Sequence, residues 1–185
     1  VLSKKIKSFL KINKVIRMQS MYTYREGNLN DLAQIKELTL LAYLKYKNEI
    51  SKESIATWIE NLENETTYVE LLKSASSFIC ENEQKIIGSA FLIPNGNPYK
   101  WFQADWAYIR MVAVHSDFEG NGIGKKLTQL CIDKAIENDE KCIALHTSEF
   151  QHAARHIYES MGFVRTKELG LLFGKHYYLY TLQLK

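Results

Sequence analysis

Several scarcities narrow the reading of this 185-residue chain before any motif is considered. It holds only 3 cysteines, Cys80, Cys131 and Cys142, each inside an apolar stretch and none at a spacing that ligates a metal. An odd set placed this way excludes a disulfide scaffold and a zinc site, and reads as core thiols of a reducing, cytoplasmic compartment. Only 2 prolines occur, Pro94 and Pro98, and no internal repeat or low-complexity linker divides the chain. No apolar run reaches the ~18 residues expected of a membrane-spanning helix.

Acidic side chains are missing from residues 1–20, which carry six basic ones: Lys4, Lys5, Lys7, Lys11, Lys14 and Arg17. Setting those six aside from the 24 lysines and arginines leaves 18 against 21 acids, so the formal +3 of the whole chain becomes −3 for the rest. A mildly acidic body carries no nucleic-acid footprint, and nucleic acid is not expected as a partner. The basic segment has neither the unbroken apolar region nor the small-residue cleavage site of a secretory signal. It suits an amphipathic surface helix, a disordered arm, or an upstream start, since Met18 and Met21 precede the first strand-like run. The expected organisation is therefore an extension over residues 1–20 and one domain over 21–185.

What is plentiful is apolar: 46% hydrophobic and 12% aromatic residues, enough for a sizeable core. "YTYR" from Tyr22 alternates like a strand. "NLNDLAQIKELTLLAYLKY" follows with helical spacing at Leu32, Ile35, Leu38, Leu41 and Ala42, with Asn30 or Asp31 as its cap and Gln34 completing a capping box with Asp31. A second helix is predicted through "SKESIATWIENLEN", with Ile55, Trp58, Ile59 and Leu62 on one side. "SFICEN" and "KIIGSAFLIP" read as a hairpin turning near Asn82 to Gln84, and "DWAYIRMVAVH" as a long strand. A helix, the short strand "CIALHT", the helix "SEFQHAARHIYESMG" and two closing strands complete a mixed α/β order.

Between the long strand and the next helix lies "FEGNGIGKKL", with glycines at 120, 122 and 124. Glycine admits positive φ and close approach of a ligand, and a helix N-terminus offers unpaired N–H groups and partial positive charge. The unit is thus a candidate anion cradle. A P-loop would need glycine at Glu119 and Ser or Thr at Lys126, and the dinucleotide fingerprint would need glycine at Lys125 or Leu127, so both common nucleotide loops are excluded.

"VAVHSDFEGNGIGKKL" resembles the acyl-CoA-binding motif of the GNAT superfamily of N-acyltransferases, a hydrophobic strand leading into [QR]-x-x-G-x-[GA], with Glu119 at the Gln/Arg position. "QHAARHIYESMGF" resembles that family's second motif, N-x-x-A-x-x-x-Y-E-x-x-G-F. There Ala154, Tyr158, Glu159, Gly162 and Phe163 match, and Gln151 stands in place of Asn. The resemblance covers roughly residues 22–183. It implies a mixed, mostly antiparallel twisted sheet of about six to seven strands, splayed at its centre and flanked by about four helices. It also implies acetyl-CoA as acyl donor, with no metal. Val112, Ala113 and Val114 would pair with the pantetheine arm. Glu119, Gly120, Asn121, Gly122, Ile123, Gly124 and Lys125 would form the pyrophosphate seat, and Gln151 and Ala154 would join Tyr158 beside the donor. A carboxylate at Glu119 is unfavourable near a pyrophosphate, so its side chain is expected to turn to solvent or to Lys125 or Lys126.

Amide formation from a thioester requires a neutral amine, a donor for the carbonyl oxygen and a proton for the leaving thiolate. By resemblance Tyr158 is the general acid. Tyr108 and Asp105 are weak candidates for a base or proton relay. Strand alternation puts Tyr108, Arg110, Val112 and Val114 on one face, so Arg110 could meet an anionic substrate group. His115 and His146 are titratable near neutrality, with structural or solvent roles the stronger expectation. No residue reads as a covalent nucleophile, which favours direct transfer in a ternary complex. The predicted function is N-acetyl transfer to a primary amine of a small molecule or peptide; a non-catalytic acyl-CoA-binding or sensing domain is the alternative. Tyr43, Tyr46, Trp58, Tyr68, Phe173, Tyr177 and Tyr178 are candidate acceptor-side aromatics, equally suited to core or homodimer contacts.

Overall fold

Arg25 begins the fold by tying three segments together. Its guanidinium donates to both Asp31 carboxylate oxygens, at 2.8 and 2.7 Å, and to Glu81 at 2.6 Å. In this computed structural model, which describes residues 22–184, the chain forms a seven-stranded sheet flanked by five helices. The strands are β1 (Thr23–Glu26), β2 (Ser76–Asn82), β3 (Lys85–Ile93), β4 (Ala107–Val114), β5 (Cys142–Ser148), β6 (Val164–Leu172) and β7 (Lys175–Gln183). The helices are α1 (Leu32–Leu44), α2 (Ile55–Glu63), α3 (Glu65–Ser74), α4 (Ile123–Glu137) and α5 (His152–Ser160). The sheet order is β1-β2-β3-β4-β5-β7-β6, antiparallel except for β4 beside β5. The basic segment 1–20 lies outside the described residues.

Each sheet face carries its own core. Ile123, Leu127 and Cys131 of α4 pack with Tyr158 of α5 on one side; Ile35 and Leu38 of α1 pack with Tyr68 and Leu71 of α3 on the other. Fully burying one such aliphatic side chain stabilises the fold by about 1.5–3 kcal/mol. The β2–β3 hairpin turns through Glu83 and Gln84, both at positive φ (50° and 66°), as a two-residue turn between right-twisted strands requires.

Three local expectations are corrected. Asp31 does take the N-cap position of α1, but its side chain caps no amide of that helix; the capping side chain is that of Asn28, whose Oδ1 accepts from Asn30 N at 2.9 Å in the 3-10 turn before α1. The Asp31 carboxylate is held by the charge-assisted fork from Arg25 and by Asn28 N, which donates to Oδ2 at 2.8 Å. Gln34 turns away to accept from Ile86 N at 3.1 Å. Leu41 is 50% exposed, and the buried place beside Leu38 and Ala42 goes to Thr39, whose hydroxyl donates back to Ile35 O at 2.8 Å. Helix α3 had no clear signal because only Tyr68 and Leu71 of "ETTYVELLKS" are buried; the Asn64 side chain, accepting from Thr66 N, starts it.

The centre of the sheet opens. β4 and β5 pair only at Ala107↔Ile143 and Tyr108↔Ala144, then diverge. On its other edge β4 carries a bulge: Phe91 pairs with Arg110 but Ser89 with Ala113, and Met111 takes φ +52°. The extra residue inverts the alternation beyond it. Val112 and Val114 therefore face the α4–α5 core while Tyr108 and Ala113 face the α1–α3 core, so the single face expected for Tyr108, Arg110, Val112 and Val114 does not exist.

Candidate active site

The divergence of β4 from β5 leaves a cleft of about 720 Å³. Val112, Ala113 and Val114 form one wall, and Glu119, Gly120, Gly122, Ile123, Gly124 and Lys125 close one end. Gln151, Ala154 and Tyr158 enter from the start and body of α5. Asn121 alone of the expected donor-side residues does not line the cleft; its Nδ2 donates to Phe118 O at 3.1 Å and holds the turn together. A second concavity, on the outer side of α2, carries none of the motif residues.

Gly120 and Gly122 have φ of +75° and +79°, and a Cβ at either would meet nothing within 4 Å. Backbone conformation, not crowding, calls for glycine there. Gly122 is the N-cap of α4, so the first amides of that helix point toward the cleft without intrahelical partners. Gly124 differs, since a Cβ would make ordinary contacts at 3.6 Å to Ile157 and Val114. Buried Ile123 and Leu127 fix the helix behind the turn. Glu119 is exposed, as one of its expected alternatives has it, but its ion-pair partner is neither Lys125 nor Lys126. It pairs with Lys45, which follows α1 and, like Glu119, lines the cleft.

Tyr158 is 7% exposed, with its ring edge-on to Phe163 at 5.9 Å. Burial, then Cys131 and Tyr46, raise its pKa, so the phenol stays protonated at neutral pH. Gln151 explains its presence in the second motif: Oε1 accepts from Thr147 Oγ1 at 3.0 Å, Ser148 N at 3.1 Å and Ser148 Oγ at 3.0 Å, joining the end of β5 to the start of α5. Tyr43 donates across the cleft to Val112 O at 3.4 Å. All three cysteines are buried, and burial pushes Cys80 up to about 11 and raises Cys131 and Cys142 as well, so none offers a thiolate.

Asp105 and Tyr108 lie outside the cleft. Asp105 is exposed ahead of β4, and Tyr108 is buried in a stack with Phe102 at 4.2 Å. His115 is also outside; its Nδ1 accepts from Asp117 N at 3.3 Å and caps a short 3-10 turn. His146 lines the cleft. Burial, then Arg110 and Lys100, lower its pKa to about 4, and its Nδ1 is buried without a hydrogen-bond partner. Its ring lies 5.5 Å from Trp101 and 6.0 Å from Tyr177. Of the aromatics singled out from sequence, Tyr43, Tyr46, Trp58, Phe173 and Tyr177 line the cleft. Tyr68 is instead a core residue donating to Leu62 O at 2.6 Å, and Tyr178 sits under Arg165 at 3.5 Å. Tyr99, Lys100 and Trp101 line the cleft but were legible only as loop; the aromatic–Lys–aromatic run was their one signal.

Among the described residues, no group of three or more His, Cys, Asp or Glu side chains converges as a metal site, and no helix is long and apolar enough to cross a membrane. Residues 33–163 match the sequence model described as the acetyltransferase (GNAT) family. A 62-residue stretch is 44% identical to N-alpha-acetyltransferase 30 of Saccharomyces cerevisiae, covering 34% of this chain and 35% of that protein. L-amino acid N-acyltransferase MnaT of Escherichia coli is 32% identical over 77 residues, 40% of this chain and 45% of that one. The match thus spans about a third to under half of these relatives' length. Among solved structures, PaiA N-acetyltransferase of Thermoplasma acidophilum in complex with coenzyme A shares the fold, with TM-score 0.70 over 88% of this chain and 98% of that one at 14% identity. The NatC complex bound to Gag peptide and CoA contains a chain with TM-score 0.61 and 26% identity, covering 89% of this chain and 99% of that one.

Proposed function

The chain belongs to the acetyltransferase (GNAT) family and is an acyltransferase; from that premise we propose that it moves an acetyl group from acetyl-CoA to a primary amine of a small molecule or peptide, by direct attack in a ternary complex. One observation carries the reading. The glycine turn and Tyr158 open onto the same cleft, along the stretch where β4 has lost its β5 partner.

The edge of β4 from Val112 to Val114 gives an extended amide-bearing arm a strand to pair with. The amides from Gly120 to Gly124 hold the pyrophosphate, with Lys125 beside them. Tyr158 donates its proton to the departing thiolate. A buried phenol is a weak acid, but a thiolate released into the same water-poor site is a stronger base there for the same reason, so the two stay matched. Gln151 fixes the helix that aims Tyr158. With Tyr108 and Asp105 outside the cleft, the proton of the amine leaves to water through the open mouth. Three buried, protonated thiols leave no nucleophile for a ping-pong route.

The test is a screen of amino acids, peptide N-termini, polyamines and aminoglycosides for CoA release, with the acetylated product identified by mass. Release coupled to one amine class supports the proposal. Tight CoA binding without turnover across the panel contradicts it.

A further inference from the structure

At the end of the cleft away from the glycine turn, positive charge is left without a partner. Arg110 and His146 are each two residues beyond the last β4–β5 pair, Tyr108↔Ala144, and so face each other across the opening strands. β4 runs toward the glycine turn, which puts Arg110 on the order of 10 Å upstream of Val114. The Arg110 guanidinium lies 4.7 Å from the Tyr99 ring, and Lys100 Nζ lies 5.1 Å from Tyr99 and 5.8 Å from Trp101. Among the described residues neither cation meets a carboxylate. The one acidic residue lining the cleft, Glu119, is at the other end and is paired with Lys45. Aromatic faces offset part of the cost of two neighbouring cations, but a ring supplies no counter-charge.

We propose that the acceptor amine carries its own carboxylate, seated on Arg110 and Lys100 between Tyr99 and Trp101, so that this site takes amino-acid-like acceptors and disfavours polyamines and other polycations. The inference rests on the transferase reading above. A guanidinium binds a carboxylate through two parallel charge-assisted hydrogen bonds, and a ligand without one leaves it desolvated and unpaired. His146 completes the seat. Its ring is uncharged at neutral pH, so it presents an acceptor nitrogen to the substrate ammonium without adding a third positive charge. Arg110, Lys100 and His146 are the basic groups lining this end, with the Tyr99 and Tyr177 hydroxyls beside them.

The experiment titrates the CoA-loaded protein with N-acetyl amino acids, the matching N-acetyl amino-acid amides, and N-acetyl amines that lack the carboxylate, following Trp fluorescence and heat. Acidic dipeptides form a further arm that separates an α-carboxylate from a side-chain carboxylate. The expected result is binding at least about 10-fold tighter for carboxylate-bearing ligands. Arg110→Gln should erase that preference, Arg110→Lys should restore part of it, and neither should change acetyl-CoA affinity. Lys100→Gln provides a second variant should Arg110→Gln not fold. Equal binding of acids, amides and amines, or a panel with no discrimination at all, overturns the inference. Because the readout is binding, carboxylate selectivity without turnover would sink only the transferase reading, and turnover without selectivity would sink only this one.

Discussion

Lys45, just past α1, forms an ion pair with Glu119 in the turn before α4, and both residues line the cleft. The side chains are 33% and 45% exposed, so the pair contributes at most about 1 kcal/mol and weakens with salt. Its larger effect is on charge: it neutralises the one carboxylate lining the cleft, beside the proposed pyrophosphate seat, and occupies a lysine that could otherwise meet a phosphate. Glu119→Gln is therefore expected to tighten acetyl-CoA binding by about 2- to 5-fold at low salt. Lys45→Gln should weaken it. Calorimetry at two salt concentrations checks both signs, and weaker binding by Glu119→Gln would contradict them.

The glycine turn predicts a contrast between neighbours. Gly122→Ala forces a Cβ onto φ +79°, which costs about 1–2 kcal/mol and shifts the first turn of α4. Gly124→Ala places its methyl at ordinary contact distance, without that backbone strain. Urea unfolding and CoA titration should show Gly122→Ala losing both stability and affinity, with Gly124→Ala close to the parent in stability.

Gln151→Ala removes the common acceptor of Thr147 and Ser148, which are 2% and 0% exposed. Stranding those buried donors should destabilise the protein by about 1–3 kcal/mol. Thermal melts measure this directly.

His146 gives a pH signature. Its pKa falls from an ordinary 6.5 to about 4 in the folded protein, so the unfolded chain binds the proton first as pH drops. The stability it contributes is fully present above pH ~6.5 and is lost as pH falls toward ~4. Asp31, lowered below 3.8 by its hydrogen bonds from Arg25, loses its contribution only at more acidic pH, so the two windows separate. His146→Gln should flatten stability between pH 6.5 and 4, measured by chemical unfolding at fixed pH.

That the glycine turn and Tyr158 come together in one cleft was legible in the sequence because the information is local. A strand, a glycine turn and a helix are contiguous, and glycine is the residue that positive φ demands at 120 and 122. Tyr158 and Gly162 likewise sit at fixed offsets on one helix and its exit. What could not be read depends on pairing across the chain. The bulge at Met111 reverses which side Val112 faces, and no period-2 pattern encodes a single inserted residue. The Lys45–Glu119 pair and the meeting of Arg110 with Tyr99 and His146 join residues far apart in sequence. The Tyr99–Trp101 end of the cleft lay hidden in a loop whose aromatic residues had no periodicity to reveal them.

The most direct measurement compares Tyr158→Phe with the parent protein in two readouts on one preparation: kcat for acetyl transfer and the dissociation constant of acetyl-CoA. The substitution keeps the ring that packs on Phe163 and removes only the hydroxyl that would donate the proton. General acid catalysis contributes about 10²- to 10⁴-fold, so kcat should fall by about that factor while acetyl-CoA affinity stays within about 2-fold. An unchanged kcat across the pH range would contradict Tyr158 as the proton donor.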